Sequence, residues 1–177
     1  MTLLLDTRGK SCLKLIQSIT YSAPKSNMRG SVTTITDGQK KKESPPWTPI
    51  EKPISESNVA LVASGGAYTE GQIAFHWEDD TGIRLIPSAE PASDVRVTHF
   101  AYDLEPARED PNIVFPTDRL NELVAEKTIG SLASNAVACM GGIYSTRRAE
   151  EELAPLILES ISNMPGEPVD LVLLVPV

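Results

Sequence analysis

The run Val169-Asp170-Leu171-Val172-Leu173-Leu174-Val175-Pro176-Val177 constrains the fold more than any other stretch of the chain. It is short, almost continuously apolar and introduced by Pro168. A segment of that length with no polar alternation reads as a strand buried on both faces. Strands of that kind belong to parallel sheets covered by helices, so they normally lead into a loop and a covering helix. In open parallel sheets the ligand crevice lies beyond the carboxyl ends of the strands. The run therefore places the expected chemistry close to Val177, the last residue of the sequence.

The rest of the chain agrees with an α/β fold: a mostly parallel sheet with flanking helices, of the open doubly wound type. Val59-Ala60-Leu61-Val62-Ala63 is a second buried strand, running into Ser64-Gly65-Gly66. Gly82-Ile83-Arg84-Leu85-Ile86-Pro87 alternates as a short edge strand does, within a stretch (67–94) otherwise broken by glycine and proline. Val95–His99 and Asn112–Phe115 read as further strands. Thr117 is placed to cap a helix whose buried face is Leu120, Leu123 and Val124. Residues 129–140 are apolar and small, ending at Gly141-Gly142. Pro155 suits the first turn of a last helix, with Glu150 to Glu152 at its positive end and Leu156, Ile157 and Ile161 facing the core. Alternating strands and helices imply βαβ units with right-handed crossovers.

Residues 1–57 read as a separate arm and linker, and 58–177 as the folded body. Leu13, Ile16 and Ile19 could line a short amphipathic helix. Residues 21–57 are rich in Ser, Thr and Lys and hold Pro24, Pro45, Pro46, Pro49 and Pro53, the composition of an extended linker. Trp47 is expected to pin this arm to the body. The net charge of −8 is divided unevenly. Residues 1–52 carry nine Lys/Arg against four Asp/Glu, and residues 53–177 carry seven against twenty. An acidic body is a poor surface for nucleic acid. The lysine run 40–42 reads as a solvated tail ahead of a contact for an acidic partner. No apolar run approaches the roughly 20 residues of a membrane span, and Leu3-Leu4-Leu5 is too short for a signal-peptide core. A cytoplasmic location with no membrane partner is the default expectation.

Candidate chemistry is sparse. Cys12 and Cys139 form no CxxC and no metal-ligand spacing with His76 or His99, so no metal is expected and each thiol reads as a small buried hydrophobe. Ser64, Gly65, Met140 and Gly141, at two strand ends, are the candidate substrate crevice. Ser64-Gly65-Gly66 lacks both GxGxxG and a Walker lysine, so a tight turn is preferred to a phosphate site. His99 and Asp103, at a strand end and the loop after it, are the candidate acid–base residues. A histidine held by the neighbouring carboxylate for local structure is the competing reading.

Several segments resemble one known family. Pro46-Trp47-Thr48-Pro49, Lys52-Pro53-Ile54-Ser55-Glu56-Ser57, Val59-Ala60-Leu61-Val62, Thr98-His99, Tyr102-Asp103, Asn112–Pro116, Asp118-Arg119-Leu120, Glu122-Leu123-Val124, Ile129-Gly130-Ser131, Met140-Gly141 and Val169–Pro176 together look like the glycine/sarcosine/betaine/D-proline reductase selenoprotein B family. The short body is nearer the D-proline type than the longer glycine and betaine types. Gly142 departs from the family's habit of a His or another large residue after Met-Gly. The resemblance implies an oxidoreductase subunit that reductively cleaves a C–N bond of a small amino-acid substrate. It implies a selenocysteine, with a cysteine shortly after it, just past the final strand. It also implies other reductase subunits as partners, one bearing a pyruvoyl group in the D-proline type. No cofactor is expected on this chain itself. Because UGA encodes selenocysteine and is commonly read as stop, the sequence is expected to be the upstream fragment of a longer selenoprotein, its nucleophile beyond Val177. The alternatives are a non-catalytic α/β binding or scaffold subunit without the redox pair, and a stand-alone enzyme using His99 and Asp103.

Overall fold

The computed structural model describes residues 3–6 and 50–177. The helix expected around Leu13 to Ile19 and the Trp47 anchor lie outside the described residues. The main sheet contains β1 (Leu3–Asp6), β2 (Asn58–Ala63), β4 (Ile83–Pro87), β6 (Ser131–Leu132), β7 (Asn135–Cys139) and β8 (Leu171–Val175). Its order is β1-β8-β2-β7-β4, with β6 also pairing with β2. β2 runs parallel to β8 on one side and to β6 and β7 on the other. The flanking strands β1 and β4 are antiparallel to their neighbours β8 and β7. The sheet is thus parallel at its centre and antiparallel at its margins.

The reason is legible in the side chains. All six residues of β2 are buried, as are the last four of β7 and most of β8. Only a strand covered on both faces removes every side chain from water, and each buried Val or Leu contributes roughly 1.5–3 kcal/mol. β4 sits at the edge as expected, with Ile86 buried and Leu85 exposed on the opposite face.

A second, two-stranded antiparallel sheet pairs β3 (Ala67–Thr69) with β5 (Val95–Val97). The Val95–His99 strand is therefore shorter than expected and belongs to this outer ribbon, not to the main sheet. Thr98 and His99 leave it toward α1 (Leu104–Glu109).

Three local expectations are corrected. Asn112–Phe115 is not a strand: Pro111–Ile113 is a 3₁₀ turn, with Pro111 in its first turn and the Asp110 carboxylate accepting from the Asn112 N–H. A short polar side chain that captures its own backbone competes successfully with sheet pairing here. Thr117 is the first residue of α2 (Thr117–Ala125), not its cap; Pro116 precedes it and gives no side-chain bond. The last helical stretch starts well before Pro155. Ser145 caps α3 (Thr146–Arg148), which runs through a π-helical turn (Ala149–Leu153) into α4 (Ala154–Ser162). A proline inside a helix lacks an N–H and crowds the carbonyl four residues back, and a widened turn just before Pro155 relieves both. That shift rotates the buried face to Ala149, Leu153, Ala154, Ile157 and Ile161, leaving Leu156 exposed. α2 packs beside β6 and α4 beside β7.

Candidate functional site

The carboxyl ends of the three central parallel strands meet at one place. The Ser64 N–H donates to the Val175 carbonyl (3.1 Å), and the Gly141 N–H to the Ser64 carbonyl (2.9 Å). The Gly66 N–H donates to the Cys139 carbonyl (3.0 Å), and Gly65 bridges Met140. The Ser64 hydroxyl accepts from the Val177 N–H at 3.0 Å. The four crevice candidates Ser64, Gly65, Met140 and Gly141 are thus brought together. Ser64 and Met140 are buried beneath the edge, where Ser64 stitches β2 to the chain that leaves β8.

Glycine is required at this edge by contact as well as by backbone angle. Gly66 has φ +71°, and a side chain there would run into the Thr98 carbonyl. Thr98 in turn donates its N–H to the Gly66 carbonyl at 3.0 Å, which fixes the 98–103 loop over the turn. Tyr102 reaches back so that its hydroxyl donates to the Gly65 carbonyl (2.9 Å). Burial pushes the Tyr102 phenol up, partly offset by the charge of Arg108.

His99 is buried on this loop, its ring stacked on Phe100 (5.3 Å between centroids, 8° between planes) and tilted against Tyr102 (4.7 Å). Its Nδ1 accepts from the Ala101 N–H at 3.0 Å. A nitrogen that accepts carries no proton, so the neutral ring is protonated at Nε2. Burial lowers the His99 pKa and so favours this neutral form. Nε2 has no hydrogen-bond partner among the described residues. A buried donor left unpaired costs about 1–3 kcal/mol, so an acceptor is called for.

Asp103 stands apart from His99. Its carboxylate accepts from the Glu105 N–H (3.1 Å) and caps α1. The two candidate acid–base residues share a loop, and the bond that orients His99 comes from the Ala101 backbone, not from that carboxylate. Sequence reasoning gave no role to Phe100 or Tyr144. Phe100 lies over Gly142, where any side chain would strike its ring, and its other neighbour is Tyr144 (5.9 Å). The only sequence signal was the aromatic density of His99-Phe100-Ala101-Tyr102.

Cys139 ends β7 fully buried, its Sγ 3.6 Å from the Ala63 carbonyl, and burial pushes its thiol up to about 12. A thiol so far from ionisation is a packing group, since the thiolate is the reactive form.

A cleft of about 630 Å³ opens at the opposite, amino-terminal end of the strands, lined by Lys52, Glu56, Asn58, Ser131, Glu167 and Asp170 among others. Several of its polar groups are engaged with one another. Asp170 accepts from the Asn58 N–H (3.0 Å) and from Lys52 Nζ (2.7 Å), and Asn58 Nδ2 donates to the Glu167 carbonyl (2.8 Å). Size alone does not make it the site: parallel sheets bind ligands at the other end.

The structure is that of an α/β protein whose central parallel strands end in glycine turns, with the loop that carries His99 and Tyr102 fastened over them. The sequence model of glycine/sarcosine/betaine reductase selenoprotein B matches residues 32–175, and the chain belongs to that family. It is similar to the D-proline reductase subunit gamma of Acetoanaerobium sticklandii, with 33% identity over 130 residues. That match covers 73% of this chain and 52% of the relative, so the chain spans about half the length of the curated relative it matches. No solved structure matches the chain. No helix among the described residues is long and apolar enough to cross a membrane.

Proposed function

We propose that this chain is part of a reductase subunit that cleaves a C–N bond of a small amino-acid substrate, with the reducing selenocysteine presented at the carboxyl end of β8. The observation that carries this reading is the convergence at Ser64. The chain leaving β8 is tied there, through Val177, to the glycine turns of β2 and β7. Val177, just after β8, lies against Gly65 and Gly141, at the floor of the proposed crevice. Cys139 does not serve as the nucleophile, because its thiol is buried and pushed far above neutral pH. A selenolate is ionised at neutral pH, and a nearby cysteine can resolve the resulting intermediate as a selenosulfide. Other reductase subunits are the proposed partners. In the D-proline type, a pyruvoyl group on one of them supplies a carbonyl that activates the substrate amine, so no residue of this chain need hold it. The names of the family and the relative contain glycine, sarcosine, betaine and D-proline. All four share a carboxylate one carbon from nitrogen and differ at the nitrogen. D-proline is the favoured substrate here, on the similarity to the gamma subunit.

The test is turnover by the full-length subunit assembled with its partners, assayed with a dithiol reductant on each of the four compounds. Reductive ring opening of D-proline is expected. An assembled complex that reduces none of the four contradicts the reading and leaves a non-catalytic scaffold subunit as the better account.

A further inference from the structure

We propose that His99 is a specificity-determining residue whose Nε2–H binds the carboxylate of the amino-acid substrate. This rests on the reductase reading of the carboxyl edge and names the part of the substrate recognised there. The Ala101 N–H occupies Nδ1, which leaves Nε2 as the donor. Nε2 is buried and meets no acceptor among the described residues. Phe100 stacks on the ring and Tyr102, its hydroxyl tied to the Gly65 carbonyl, packs against it, so a ligand reaches Nε2 only as the groups that enclose it shift. Phe100 is itself held in place where Gly142 leaves room for its ring. The histidine is therefore a donor oriented by the Ala101 N–H, on the loop that Thr98 fastens to the Gly66 turn. An anionic oxygen is the strongest acceptor for such a donor. The carboxylate is the one anionic group that glycine, sarcosine, betaine and D-proline have in common. A neutral donor at this point orients the substrate and leaves its nitrogen free for the chemistry that distinguishes the four.

The experiment measures binding, not turnover, so that it stands apart from the reductase reading. The full-length subunit with its partners is titrated calorimetrically with D-proline and with pyrrolidine, which keeps the ring and lacks the carboxylate. His99→Phe keeps the ring shape and removes the donor; His99→Gln keeps an N–H near the Nε2 position. D-proline affinity is expected to fall about 10- to 100-fold in His99→Phe and to stay within about fivefold in His99→Gln. Pyrrolidine binding is expected to be equal in all three. Should the variants fail to fold, the wild-type protein labelled with ¹⁵N-histidine supplies the same test, since the Nε2–H resonance of His99 should shift on adding D-proline and not on adding pyrrolidine. Unchanged D-proline affinity in His99→Phe, or a resonance indifferent to D-proline, would overturn the assignment and leave a water molecule as the acceptor. Carboxylate-dependent binding in a complex that reduces nothing would sink the reductase reading and leave the role of His99 standing.

Discussion

The two ends of the central parallel strands are built on opposite plans. At the amino end, polar side chains bond one another: Asp170 receives both the Asn58 N–H and Lys52, and Asn58 is held by the turn before β8. At the carboxyl end, glycines let backbone lie on backbone, and the buried donor of His99 has no partner among the described residues. The first arrangement uses polarity for stability. The second leaves polarity uncompensated, as preorganised binding sites do. The cleft of about 630 Å³ lies at the stabilised end, where the bonds among Asp170, Asn58 and Lys52 account for these polar groups without a ligand.

The largest effect expected from a single change is at the carboxyl edge. Gly66→Val combines a positive φ with a collision against the Thr98 carbonyl and should destabilise the fold by roughly 3–5 kcal/mol. The midpoint of urea unfolding reads it; a loss below about 1 kcal/mol would show that the turn relaxes cheaply and is not the rigid floor described. Next comes the amino edge. Asp170→Ala strips an acceptor from a mostly buried N–H and should cost about 1–3 kcal/mol while leaving substrate affinity of the assembled protein unchanged. Loss of affinity at unchanged stability would break the division between the two ends.

The pH dependence of stability sharpens the same contrast. The His99 pKa is lowered by burial, from an ordinary value of 6.5. Below 6.5 the unfolded chain binds a proton that the folded one resists, so the unfolded state is favoured. The contribution of His99 is therefore fully present above pH 6.5 and lost as the pH falls from there toward the folded-state value. Urea midpoints between pH 8 and 5 should fall less steeply in His99→Gln than in wild type. Equal slopes would mean that His99 is not held neutral. The smallest effect is expected for Lys52→Met, which removes a half-exposed ion pair and should change stability by about 0–1 kcal/mol.

Much of this architecture was legible in the sequence because it follows from local periodicity. The uninterrupted apolarity of Val59–Ala63 and of the final run announced buried parallel strands, and the alternation of Ile83–Pro87 announced an edge. What failed depended on partners distant in sequence or on competition from side chains. Nothing local in Val95–Val97 shows that its partner is Ala67–Thr69. Asn112–Phe115 has strand-like residues, and a single aspartate and proline turned it into a 3₁₀ turn. Pro155 looked like a helix start, and the π-turn that lets it sit inside a longer helix has no pattern of its own. At the site, the strand-end glycines were visible as turns. That Phe100 lies over Gly142 and that Ala101 orients His99 are facts of three-dimensional packing.

The central claim is that β8 delivers the redox residue to the carboxyl edge. Trypsin cuts after Arg148, and no Lys or Arg lies between Ala149 and Val177. Mass spectrometry of the polypeptide isolated from its native source should therefore find a tryptic peptide that begins at Ala149, continues past Val177 and carries the isotope pattern of selenium. A native peptide that ends at Val177, or continues without selenium or a cysteine close behind, would contradict the account.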